Sequence, residues 1–243
     1  MSFWDHLEEL RGVLIRSVLA LLGFTILGLI FKDFLFDKII LAPTKSNFVI
    51  YSLLGWDFSI ELINIELSAQ FFTHLKASLA AGFVLAFPCM IWEVWKFILP
   101  ALYNNEKLAL RVVFLLASLL FYVGVAVGYF LVLPVCLRFF MTYTVSTDVL
   151  NSITLASYMS MFSSMVLLIG LVFEFPSVVF ALSRLGIVSR ALLRKGRRYA
   201  FVIILIIAAF ITPADPVSMF VLAIPLYLLY ELSIFLCKSN ESQ

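Results

Sequence analysis

Three glutamates stand where a carboxylate needs a reason: Glu9 in HLEELR just ahead of GVLIRSVLALLGFTILGLIF, Glu106 in LPALYNNEKLAL, and Glu174 in LVFEFP. At a lipid–water boundary a carboxylate can accept paired hydrogen bonds from a guanidinium, and inside an apolar run it can relay a proton or hold a polar partner. An ionised acid at the centre of a spanning helix costs about 2.5–3.5 kcal/mol on insertion scales, so Glu174 must face protein or water. Pro176, two positions on, frees carbonyls of the preceding turn and favours a kinked, polar place in that helix. Glu9 and Glu106 also have a plainer reading, as helix-start acids that complement the dipole, with Asn104 or Asn105 as a cap. Glu8 and Arg11, three apart, can pair on a helix, which leaves Glu9 the freer acid. Asp215, in TPADP, reads as a turn residue.

Other chemistries lack their residues. There is no Walker A, HExxH, GxSxG or GxGxxG signature, so neither a catalytic site nor a nucleotide site is expected. His6 and His74 lie in different flanks, which makes a metal site improbable, and Cys89, Cys136 and Cys237 form no CxxC pair and read as packing residues. No cofactor is expected. A net charge of +2 with scattered basic residues gives no nucleic-acid footprint.

The elements that must position these acids are spanning helices. Of 243 residues 63% are hydrophobic and 13% charged, and the mean hydropathy is +1.09, the composition of an integral membrane protein. A helical span takes about 20 apolar residues. The runs predict six, over about 12–31, 72–95, 112–137, 152–182, 199–212 and 216–236, with a long outer loop at 32–71, all in a single membrane domain covering 1–243. The last two runs are short and are joined by TPADP, whose two prolines cannot continue a helix, so they form a hairpin. The outer loop alternates apolar and acidic residues loosely, as surface-lying pieces or a cap over the helix ends would. Lysines and arginines divide 12 against 5 between the two sets of flanks, which predicts both termini in the cytoplasm. With Asp5, Glu8 and Glu9 at its N-terminus the first segment is expected to remain as a span rather than a cleaved signal peptide.

Several stretches together resemble one family. HLEELR, LAP at residues 41–43, FFTHLK at 71–76 and IWEVWKFILPALYNNEK at 91–107, followed in order by FYVGVAVGYF, VFEFP and ITPADPVS, are similar to TatC, the multispanning core subunit of the twin-arginine protein translocase. The resemblance implies an all-α integral membrane protein of six transmembrane helices in a concave, glove-like bundle, N-in and C-in, with helices five and six short. It implies a non-enzymatic component of a bacterial inner (cytoplasmic) membrane that recognises twin-arginine signal peptides on folded proteins. Export would be driven by the proton motive force, with single-span TatA- and TatB-type partners and homo- and hetero-oligomeric assembly. It places Glu9 and Glu106 in the signal-peptide site, with Arg11, Phe97, Leu102 and Tyr103 on neighbouring motif positions. Glu174 becomes a polar contact within the membrane for a partner or an inserted signal hairpin, and Pro43 and Asp215 fall on motif positions in loops. The chain departs from the family pattern after HLEELR: where a further basic residue often follows, it has Gly12-Val13 and delays to Arg16. A proton-coupled small-solute transporter using Glu174 is the other reading, although no internal repeat supports it.

Overall fold

The structure, a computed structural model, describes residues 3–98, 107–146, 148, 151–184, 186–212 and 215–237. Six long helices dominate them. Helix α1 is Phe3–Ile30 and α2 is Ala69–Ile98. Helix α3 runs from Lys107–Val127 through a π-helical turn, Gly128–Val132, into Leu133–Thr142. Helix α4 is Leu155–Val172, resuming after a break at 173–174 as Phe175–Arg184, and α5 and α6 are Arg190–Ile211 and Pro216–Leu236.

Hydropathy locates these helices and understates their length. HLEELR does not precede α1; it forms its first turns. Helix α5 starts at Arg190, nine residues before its apolar run at Tyr199, because Ser189 caps it by accepting the Leu192 N–H at 3.2 Å. Backbone hydrogen bonding carries a helix on past the lipid boundary, where hydropathy no longer marks it. Helices α5 and α6, 22 and 21 residues, are the shortest of the six. Among the described residues five helices are long and apolar enough to cross a membrane, α6 among them; α5 carries five basic residues in its first nine.

Close helix crossings use small residues, as association in lipid requires. A Cβ on Gly82 of α2 would stand 2.5 Å from Thr25 Oγ1 and 2.7 Å from the Thr25 nitrogen, and one on Gly28 would meet Ser78 Cα at 3.1 Å. Helix α4 forms the centre of the bundle, with Met159, Met165 and Ile169 buried against its neighbours. Pro88 inside α2 removes the N–H that would bond the Val84 carbonyl, and the Tyr122 hydroxyl of α3 donates to that carbonyl instead, at 3.3 Å.

The outer loop is a cap. Among its residues Leu35, Ile40, Phe48, Tyr51 and Ile60 are buried. Three tyrosine hydroxyls hold it: Tyr129 donates to the Ile39 carbonyl at 2.7 Å, Tyr158 to that of Ile40, and Tyr51 to that of Pro43 at 2.7 Å. Arg138 lies 3.8 Å over the Trp56 ring, and a two-residue parallel strand pair, Leu62 with Ile153 and Ile63 with Thr154, ties this loop to the next.

Candidate functional site

Glu9 is separated from its neighbours by helical phase. Positions 9, 13, 16, 17 and 20 fall on one side of α1, and Val13 and Ser17 on that side are buried. Glu9 is half-buried there, while Glu8, Leu10 and Arg11 are exposed. The expected Glu8–Arg11 pair does not form: the ion pairs among the described residues are Arg16–Glu93 and Arg197–Glu231. Both side chains point to water, where an i,i+3 attraction is worth only about 0.2–0.5 kcal/mol. Glu9 is therefore distinguished by its partial burial, on the side of α1 that also carries the buried Val13 and Ser17, rather than by a neighbour's pairing.

Helix α2 packs antiparallel to α1 in a clear register, Gly28 against Ser78, Thr25 against Gly82 and Arg16 against Glu93. The Arg16 Nε donates to Glu93 Oε2 at 2.7 Å. Carrying the register one turn further sets Phe97, half-buried, opposite Gly12. The seam between the two helices thus carries Glu93, Arg16 and Phe97 and leads toward Glu9. Residues 99–106 continue from the end of α2, and Leu102, Tyr103 and Glu106 lie outside the described residues.

Glu174 sits in the break of α4 and is only 8% exposed. The Ser177 Oγ lies 2.5 Å from its Oε2 and 2.8 Å from its backbone carbonyl, whereas Oε1 is buried without a hydrogen-bond partner. Pro176 creates the break, since it lacks the N–H that would continue the ladder. A buried carboxyl oxygen left unsatisfied costs about 1–3 kcal/mol.

Asp215 is the N-cap of α6, its Oδ2 accepting the Ser218 N–H at 2.6 Å with Pro216 in the first turn. Its Oδ1 is buried and unpartnered, beside a Cys136 thiol that donates to Ser218 Oγ at 2.7 Å and joins α3 to α6. Pro43 is fully buried within the cap. Cys136 and Cys237 are buried, as expected of packing residues, whereas Cys89 is exposed.

Two ion pairs escaped the sequence reading. Glu93, in IWEVWKF, borders an apolar run, and Glu231 is enclosed in one; an acid at such a boundary signals a cation on a neighbouring helix, but not which one. A cavity of about 800 Å³ opens between α1–α2 and α3–α4, lined almost wholly by apolar side chains such as Leu27, Phe34, Ala81 and Phe162. The cavity lies toward the opposite end of α1 from Glu9, about 27 Å along the helix, so the acidic seam by itself offers a place for a cationic ligand at the end where α1 begins.

Comparison with known proteins agrees with this picture. The family model described as "Sec-independent protein translocase protein (TatC)" matches residues 5–225. The TatC proteins of Blattabacterium sp. subsp. Periplaneta americana and of Desulforapulum autotrophicum are 36% and 40% identical, the alignments covering 97% and 96% of this chain and 94% and 82% of theirs. A crystal structure titled "Twin Arginine Translocase Receptor- TatC in DDM" superposes with a TM-score of 0.81 at 35% identity, covering 96% of this chain and 99% of that one. These relatives are protein-translocase components, which leaves the small-solute alternative without support.

Proposed function

Since the chain belongs to the TatC family and is a core component of the twin-arginine translocase, we propose that it reads the arginine pair of signal peptides with Glu9 and Glu106. The observation that carries this is Glu9 itself, half-buried on the side of α1 that carries the buried Val13 and Ser17, while the adjacent Glu8 is exposed. Guanidinium is planar, permanently charged and able to bond a carboxylate through two N–H groups, which an ammonium is not. Exposed ion pairs are worth only about 0–1 kcal/mol, so discrimination needs the partial burial that Glu9 has. Arg11, Phe97, Leu102 and Tyr103 would line the same site, and the apolar part of the peptide would lie along the helices.

In this reading the chain works as a single membrane domain of a bacterial inner membrane, with both termini in the cytoplasm. It passes folded cargo on with TatA- and TatB-type single-span subunits at the expense of the proton motive force, and no enzymatic step belongs to it. Glu174, with one oxygen unsatisfied inside the membrane, would contact a partner helix or an inserted signal hairpin. The test is site-specific photo-cross-linking of a twin-arginine precursor to membranes containing the protein. Glu9→Gln with Glu106→Gln should abolish the cross-link while the protein stays inserted. Undiminished cross-linking in the double variant would sink the proposal.

A further inference from the structure

The seam between α1 and α2 holds an arginine of the chain's own bonded to a carboxylate, two turns from Glu9. Glu93 is the anchored partner, on the long α2 helix with a side chain 17% exposed, and Arg16 is the loose one, 51% exposed. Their recorded bond uses Nε and one carboxylate oxygen, and not the two-pronged contact that a guanidinium can make. The rest of the Arg16 fork folds back over Gly12, where a Cβ would stand 3.1 Å from Nη1. That position is in the turn leading to Glu9, which lies two turns, about 10 Å, from Arg16 at nearly the same helical phase. The unusual Gly12-Val13 after HLEELR thus has a physical consequence: glycine makes the room in which the delayed arginine reaches back toward the end of the helix.

We propose that Arg16 is an internal stand-in for a signal-peptide arginine, holding Glu93 until an incoming guanidinium displaces it, so that Glu93 is a third carboxylate of the reading site. This rests on the proposed reading of Glu9. The stand-in sets a threshold. A ligand arginine replaces a single-point contact with a paired one, whereas a lysine has no fork with which to compete. The displaced Arg16 keeps its charge in water, because its long side chain snorkels from the helix edge.

The experiment measures binding of fluorescent signal peptides bearing Arg-Arg or Lys-Lys to the full-length purified chain in nanodiscs, with melting of each variant recorded in parallel. Arg16→Gln should tighten Arg-Arg binding by about two- to five-fold, the range of one exposed ion pair, and bring Lys-Lys closer to it. Glu93→Gln should weaken Arg-Arg binding, and adding Arg16→Gln to it should give no tightening, since the acid being released is gone. Arg16→Lys should fall between wild type and Arg16→Gln. If Arg16→Gln weakens binding as Glu93→Gln does, with the same fall in melting temperature, the pair is a clamp between helices and the proposal is overturned. Glu9→Gln separates the two levels. If it leaves Arg-Arg binding intact, both readings fall; if it weakens binding while Arg16→Gln fails to tighten it, only the stand-in falls.

Discussion

At the scale of single residues, the acids of this chain divide by what surrounds each carboxyl group. Glu8 is exposed and Glu9 half-buried, Asp215 caps a helix start, and Glu174 keeps one oxygen unsatisfied within a spanning helix. Like the unpartnered Oδ1 of Asp215, that oxygen is a standing cost to the isolated protein, and for Glu174 it leads to an opposition of stability and assembly. Glu174→Leu should raise the melting temperature of the purified chain in detergent, because replacing a poorly satisfied buried polar group by an apolar one of similar size is neutral to stabilising. The same variant should lose copurification of single-span subunits. A fall in both would make Glu174 a structural residue. Residue types alone singled out Glu9 and Glu174 but assigned the Glu9 distinction to a Glu8–Arg11 pair that does not form. Phase on the helix, which becomes decisive once a partner helix is placed, was the actual reason.

At the scale of elements, the α1–α2 seam is the part whose geometry the proposed reading site would depend on, and its closeness is set by glycine. Gly82→Ala should lower the melting temperature by several degrees, since its Cβ would press on Thr25 Oγ1 and on the Thr25 backbone nitrogen, and overpacking of this kind costs about 1–3 kcal/mol. It should also reduce precursor cross-linking that depends on Glu9, by shifting α1 against α2. Gly23→Ala serves as the control, because nothing lies within 4 Å of the Cβ it would add. Melting curves and cross-linking yields that do not distinguish the two substitutions would remove the seam from the explanation. The helices were legible as apolar runs. Their ends were not, because capping by Ser189 and Asp215 and the break at Pro176 are hydrogen-bond events to which hydropathy is blind.

At the scale of the whole molecule, the cap and the basic clusters define two unlike ends. The cap is fastened by tyrosines to carbonyls of its own turns and by Arg138 to Trp56, while α5 opens with five basic residues at the end of the bundle where α1 begins. Reporter fusions should find both termini in the cytoplasm and the cap outside. Replacing Arg194, Lys195, Arg197 and Arg198 by Gln should produce a fraction of chains with the C-terminal hairpin misoriented, read by protease protection, because charge in short flanks sets orientation. Full retention of orientation would mean that α1 alone decides it. By itself the sequence determined the lipid environment, the family and the approximate helices, since hydrophobic runs and motif residues are local properties of the chain. Only the tertiary structure decided that Glu9 is half-buried and Glu8 exposed, that Arg16 holds Glu93, and that one oxygen of Glu174 goes unpaired. Each of these depends on the distance between helices far apart in the chain, and such distances are set by packing rather than by the spacing of residues.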